Sequence, residues 1–419
     1  MITPDFLDEI VLATEQRVSE LHEYLIGRIA NRIASYLGSI DDINLIPSSI
    51  KDLHKLIESG VVLEDIEREI IKRYPQIETE VKKAFYNSAN EMRLANIEFE
   101  RDVLMNDVPD AVIEDVPLQE ALSKQLSPYE VKLLEANYKR TNGTIHNMTK
   151  TTAQSAQRAY INACDSAYFK VQHGVGINTA IMEAVEEVAE QGIGVVDFNG
   201  RVTKVETAIS RAVRTGINQT NGEMVLAECG RMGVGYVVVS EHLGARVTKV
   251  NDYTNHSWWQ GKVYKLNFNN PILSKFATAD DEQIALMNET IGEVNPDYPD
   301  FIEACGYGDV QGICGANCRH SFSMFMPNIM EHEGQTIDPA ENERRYNETQ
   351  RARAMERAIR KTKRIIEGLK GTGLTNDPQI QKELQSKNAL LERQLDAYRQ
   401  YCKDHRLNAD GSRLVIPKG

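Results

Sequence analysis

Cysteine is scarce in this chain, with six among 419 residues. That is too few for a disulfide scaffold, so the chain reads as one made in a reducing cytoplasm. No window approaches 18 apolar residues, and no membrane span is expected. The opening MITPDFLDEIVLATEQ lacks a basic stretch followed by an apolar run, so no signal peptide is expected. Basic residues are outnumbered, 48 Lys and Arg against 61 Asp and Glu, for a formal charge of −13. Such a balance argues against wrapping nucleic acid with the whole surface, although a local basic patch can still exist. HExxH, GxSxG, Walker A and GxGxxG are all missing. The glycine pair of GVGYVV follows a helical pattern rather than a strand, which is the wrong context for a nucleotide loop. The C-x2-C knuckle of structural zinc sites and the helical CxxC of redox proteins are missing as well.

What is present is a globular composition, 41% hydrophobic and 26% charged, in a chain long enough for two to four domains. LDEIVLATEQRVSELHEYLIGRIANRIASYLG repeats apolar residues every three or four positions and predicts a helix ending at Gly38. IPSSIKDLHKLIESG predicts another, and EDIEREIIKRYPQIETEVKKAFYNSANEMRLANIEFE predicts one interrupted at Pro75. In SPYEVKLL, Ser127 is placed to cap a helix with Pro128 at its first position and Glu130 closing a capping box. INTAIMEAVEEVAEQG is the last helix of this half. The pattern changes near Gly194. A helix at about 203–230 leads into the β-branched GVGYVVVSEH, and WWQGKVYKL alternates as a second strand. From Asp338 the chain is helical again. The fold class expected is α+β, mainly α, with a helical N-terminal half, a small α+β domain of short antiparallel strands and a C-terminal helical arm. Boundaries follow at 1–75, 76–195, 196–330 and 331–419, the last comprising a basic helix, a second helix and a polar tail.

The densest chemistry is 314-CGANCRH-320. With Cys305 it makes C-x8-C-x3-C-x-H, and Cys305, Cys314, Cys318 and His320 are all atom types that zinc accepts. A disulfide, or a compact turn with buried thiols, uses the same residues. Gly306, Gly308, Gly312 and Gly315 favour the turn, because glycine adopts backbone conformations closed to other residues. Arg319 is placed to lock such a loop by a forked bond to a carboxylate or to carbonyls. His242 and His256 flank the strand region and with His320 are the candidate set for a metal-assisted nuclease or hydrolase; hydrogen-bonded structural histidines are the plainer reading. Of Trp258 and Trp259, one is expected to face the core and one to shield the hairpin edge. Arg201, Lys204, Arg211 and Arg214 have near-helical spacing and suit phosphate or an acidic partner. Nine basic residues crowd 344–364. Within them Arg351, Arg357, Arg360 and Arg364 are the candidates for electrostatic contact with an acidic protein surface or packaged DNA; a solvated face is the alternative.

Taken together, 211-RAVRTGINQTNG-222, 232-MGVGYVVVSEHLGAR-246, 258-WWQGKVYKL-266, 306-GYGDVQGICGANCRHSF-322 and 346-YNETQRARAMERAIRKTKR-364 resemble the minor capsid proteins of tailed phages, of the minor capsid protein 2 type. The resemblance covers roughly residues 200–370. It extends distantly to the Mu F-like head morphogenesis proteins, whose Arg-Thr helix, Gly-Lys-Val strand and Cys-Arg block match Arg214 and Thr215, Gly261 to Val263, and Cys318 and Arg319. The paired cysteines of that broader pattern are replaced here by SEHLGAR, and its last cysteine by His320. The resemblance implies a non-enzymatic virion protein, sited near the portal vertex and acting in head assembly, DNA packaging or ejection. Its partners would be the portal protein, the major capsid protein and packaged DNA. No cofactor is expected, with zinc left open on Cys305, Cys314, Cys318, His320 and His242. The loop at Gly315, Cys318, Arg319 and His320 is expected to pack as a structural element against Trp259 and Gly261.

Overall fold

A computed structural model describes residues 3–38, 61–105, 125–196, 202–276, 298–327, 330–409 and 414. The predicted helix at IPSSIKDLHKLIESG lies outside them, as do Arg201 and most of the polar tail. The described elements are α1 (Pro4–Gly38), α2 (Val61–Met105), α3 (Pro128–Gln172), α4 (Ile177–Gln191), β1 (Gly194–Val196), β2 (Val202–Lys204), α5 (Val205–Met232), β3 (Tyr236–Val239), α6 (His256–Trp259), β4 (Val263–Lys265), α7 (Phe301–Cys305), β5 (Phe322–Phe325), α8 (Pro339–Gly371) and α9 (Pro378–Asp404). The protein is mainly α with a small antiparallel sheet, as the residue patterns predict. No described helix is long and apolar enough to cross a membrane.

Two local expectations can be followed at atomic detail. The capping box at α3 is reciprocal: Ser127 N donates to Glu130 Oε2 at 2.7 Å, and Glu130 N donates to Ser127 Oγ at 3.2 Å. Pro75, by contrast, does not interrupt α2, which runs through it. The ring removes one N–H, and the turn before it carries Ile71 at 63% exposure, where water can reach the freed carbonyl.

The chain forms two compact units, each gathered from three stretches. The first takes Met1–Val11, Val81–Asn142 and Arg211–Thr349, the second Leu12–Glu80, Gly143–Ser210 and Gln350–Gly419.

In the first unit the sheet order is β4-β3-β5, all antiparallel. β3, Tyr-Val-Val-Val, is buried along its whole length, which is why it reads as an unbroken β-branched run rather than an alternating one. Tyr236, Val238, Val263 and Phe325 share one face with Tyr298 and Met330. On the opposite side Phe322 packs edge-on against Phe301 and Tyr307. The later part of α5 comes close to the sheet because of its glycines: a Cβ on Gly222 would sit 3.1 Å from Phe322 and 3.2 Å from Cys314 Sγ. α5 ends in a Schellman turn, with Gly233 at φ +70 and Val234 N bonding to Cys229 O at 2.9 Å.

The second unit is helical apart from the β1–β2 ribbon. Its interior carries a charged group rather than apolar side chains alone. His22 Nε2 accepts from Ile193 N at 2.8 Å, which places its proton on Nδ1, 2.6 Å from Glu206 Oε2. Arg364 Nη1 lies 3.4 Å from Glu206 Oε1, and its Nε donates to Ala189 O at 3.2 Å. α8 closes on α1 through glycine contact, since a Cβ on Gly371 would lie 2.8 Å from Gly27 Cα. α9 begins at Asp377, which accepts from Gln379 N and Ile380 N and also from Asn178 Nδ2 at 2.7 Å. It then packs Tyr398 and Cys402 against Ala352 and Ile359.

Two outcomes follow. Gly371→Ala forces a methyl into backbone and is expected to lower stability by about 1–3 kcal/mol in urea titration, whereas Gly27→Ala, whose own Cβ meets nothing within 4 Å, is expected to be neutral or stabilising. The second concerns pH. Burial alone would raise the Glu206 carboxyl, but His22 and Arg364 outweigh it and hold it below the ordinary value of 4.5. A depressed folded value stabilises above that ordinary value and is lost as pH falls beneath it. Glu206→Gln, which strands Arg364, is expected to cost about 3–5 kcal/mol at neutral pH and to flatten the acid limb of a stability-against-pH curve.

Candidate functional site

The first unit brings two distant pieces of chain together: the stretch from β3 through the short α6, and the loop from α7 to β5. The loop is held almost without regular structure. Ile313 N bonds to Cys305 O at 2.8 Å, Ala316 N to Val310 O at 2.7 Å, and Cys318 N to Gly315 O at 3.1 Å. Backbone passes so close to backbone that a Cβ on Gly312 would overlap Gly306 O, and one on Gly315 would lie 2.5 Å from Val310 O. Cys314 and Asn317 take left-handed conformations, at φ 57 and φ 60.

Side chains from outside complete these bonds. Arg246 forks onto the loop, with Nη1 donating to Gln311 O at 3.2 Å and Nη2 to Ala316 O at 2.9 Å. Arg319 instead turns to Asp8, 2.9 Å from Oδ2, while Arg214 lies 3.2 Å from Oδ1 of the same carboxylate. Asn218 donates to His320 O at 3.0 Å. Asn342, fully buried at the start of α8, accepts from Gly244 N and Ala245 N at 2.8 and 2.9 Å and donates to Ala245 O at 3.1 Å. Glu241 accepts from Thr336 N and Ile337 N, beside Gly261 with its φ of +65.

Inside this frame sit the chemical side chains. His320 stacks on His242, with ring centres 4.3 Å apart, and meets His256 and Trp259 edge-on at 5.3 and 4.7 Å. Its Nε2 reaches Gln260 Oε1 at 3.1 Å, and Gln260 Oε1 also accepts from His242 N at 3.1 Å. His256 Nε2 donates to Gln311 O at 2.8 Å. Cys318 Sγ is 3.8 Å from His320 Nδ1. One ligand atom each from His256, Cys318 and His320 lies within 4.8 Å of the others, and all three residues are buried. Burial pushes His242 and His256 down to about 4 and holds His320 well below the ordinary imidazole value. It raises the Cys318 thiol to about 11 and holds Cys305 and Cys314 well above the ordinary thiol value. At neutral pH the cluster is therefore uncharged. All six cysteines are free thiols, so CGANCRH holds no disulfide.

Of the residues singled out in the sequence, Cys305, Cys314, Cys318, His242, His256 and His320 all lie in this unit, and Gly261, Gly315 and Arg319 frame them. Trp259 is buried, while Trp258 is exposed with the Lys262 ammonium 5.7 Å above its ring. The basic helix divides. Arg351 and Arg357 are exposed, Arg360 is half-buried 3.8 Å from Glu356, and Lys361 pairs with Glu190 at 3.0 Å. Arg364 corrects the expectation of an outward contact, because its guanidinium is spent on Glu206 and Ala189 in the interior. Arg214 is likewise committed to Asp8, and burial lowers Lys204 to about 8. Gln260, Asn218, Asn342 and Arg246 were not singled out; Asn218, Arg246 and Gln260 lie inside the family-like blocks, and Asn342 lies in none of them.

Comparison with known families gives the class first: the chain is a structural protein of the phage particle. Residues 2–401 match the family Phage minor capsid protein 2, and the chain belongs to it. No curated protein and no solved structure matches the chain.

Asn342→Ala would leave the N–H groups of Gly244 and Ala245 buried without acceptors. It is expected to destabilise the protein by about 2–3 kcal/mol, and amide exchange at those two positions should accelerate more than in β3.

Proposed function

We infer that this protein acts in head assembly at the portal vertex, made in the host cytoplasm and built into the particle in few copies. Its contacts would be the portal protein or the major capsid protein, with a further part in packaging or ejecting DNA. Membership of the minor capsid family across residues 2–401 carries this reading. The site supports a structural, non-enzymatic role, since His256 and His320 are 2% and 1% exposed and offer a substrate no direct approach. Exposed Arg351 and Arg357 on α8 are the groups available for an acidic surface or for DNA in the head interior.

One observation favours a metal-dependent nuclease or hydrolase instead, namely the convergence of His242, His256 and His320. The readings separate in one experiment. Procapsids and virions are purified from infected cells and imaged by cryo-EM with this protein tagged. The capsid reading expects density at the vertex that carries the portal, in few copies, and wild-type particle yields from His242→Ala. Absence of the protein from particles, or DNA cleavage by the purified chain that His242→Ala abolishes, would overturn it.

A further inference from the structure

We propose that His256, Cys318 and His320 form a zinc site that ties the loop before β5 to α6. Three features of the geometry lead there. First, the ligand atoms are gathered within 4.8 Å, from residues about sixty positions apart in the chain, and all are shielded from water. Second, Cys318 Sγ and His320 Nδ1 are 3.8 Å apart. Zinc bonds of about 2.3 Å to sulfur and about 2.0 Å to nitrogen set tetrahedral neighbours roughly 3.6 Å apart, so that edge of the site is nearly preformed.

Third, both imidazoles are oriented as ligands are. His256 Nε2 is bonded to Gln311 O and His320 Nε2 to Gln260 Oε1. An oxygen acceptor on Nε2 fixes the proton there and leaves the lone pair on Nδ1. Such outer bonds are what hold metal-binding histidines in one tautomer. Gln260 is itself fully buried, and its Oε1 is fixed by His242 N. Cys318 Sγ, by contrast, has only long contacts, at 3.8 and 3.9 Å. A buried thiol 3.8 Å from one imidazole Nδ1, with a second imidazole donor within 4.8 Å, is a soft, neutral donor set that suits zinc over magnesium or calcium. Binding breaks the Cys318 S–H bond and forms Zn–S, with the proton released to solvent. The fourth position stays outside this set of three. Trp259, packed against both rings, walls the site, so the ion acts as a staple for the loop.

The test uses the untagged full chain. Metal analysis after purification without chelator is expected to find one zinc per chain. After chelation, the melting temperature should rise with added zinc and saturate at one equivalent. Cobalt(II) loaded in its place should give the absorption of a tetrahedral ion with a thiolate charge-transfer band. Cys318→Ser should lose that band and the zinc-dependent rise; Cys402→Ser, at a thiol in the other unit, should keep both. Because the melting and cobalt experiments are run on wild-type protein, a misfolded variant does not decide the outcome. Failure of wild-type protein to respond to zinc, or equal binding by Cys318→Ser, would overturn the site, and either result is independent of where the protein sits in the particle.

Discussion

The first unit depends on one constraint: backbone polar groups cannot be buried without partners. Its sheet is three short strands, and the chain around it, from Ser240 to Lys262 and from Gly306 to Ser321, is neither helix nor strand apart from the four-residue α6. Such chain can enter an interior only if side chains supply the bonds that a ladder would have made. Asn342 does so for Gly244 and Ala245, Arg246 for Gln311 and Ala316, and Asn218 for His320. Ser240 Oγ accepts from Ser321 N at 3.0 Å and so extends β3–β5 pairing past the last strand residue. Each of these is a short polar side chain or a forked guanidinium, because only those geometries meet two backbone groups at once.

The same economy explains the glycines. Where two stretches of irregular backbone satisfy each other, they must come within contact distance, and a side chain between them would prevent the bond. Gly312 lies against Gly306 O and Cys305 O, and Gly315 against Val310 O and Asp309 O. These positions need no unusual φ; they need absence of a methyl. Gly306 and Gly308, at φ +63 and φ +97, need the other property of glycine. Both uses occur within ten residues, which accounts for the density of glycine in this stretch.

Much of this was legible beforehand and some was not, for physical reasons. Periodicity reports which face a helix buries, so α1, α4, α5 and α8 could be placed within a few residues. The capping box at Ser127 is a local bond between neighbours, and it too could be read. Pro75 misled because the cost of a proline depends on whether water can reach the freed carbonyl, and that is set by tertiary structure. Arg364 misled for a related reason. A run of basic residues shows charge but not which members face inward, and its partner Glu206 is 158 positions away. Cys318 and His320 were found from their spacing and His256 as one of the candidate histidines, but the orienting Gln260, from the same segment as His256, was not. Windows of sequence likewise show composition shifts along the chain, whereas each compact unit is gathered from three separate stretches.

Convergence of three histidines is commonly a mark of catalysis, so the reason to read these differently must be physical. A general base needs a value near the working pH and a path for substrate to its nitrogen. Here burial takes all three imidazoles the other way, His242 and His256 to about 4 and His320 well below its ordinary value, and two of the rings spend Nε2 on fixed oxygen acceptors. A nucleophilic cysteine needs a thiolate, yet burial raises Cys318 to about 11 and holds the neighbouring thiols well above their ordinary value. The environment thus disfavours charge on His242, His256, His320 and Cys318. What low polarity and fixed tautomers do favour is geometry: donors held neutral, oriented and dry. Those are the properties of a site that fastens chain to chain, and they accord with a protein whose family serves the architecture of a capsid.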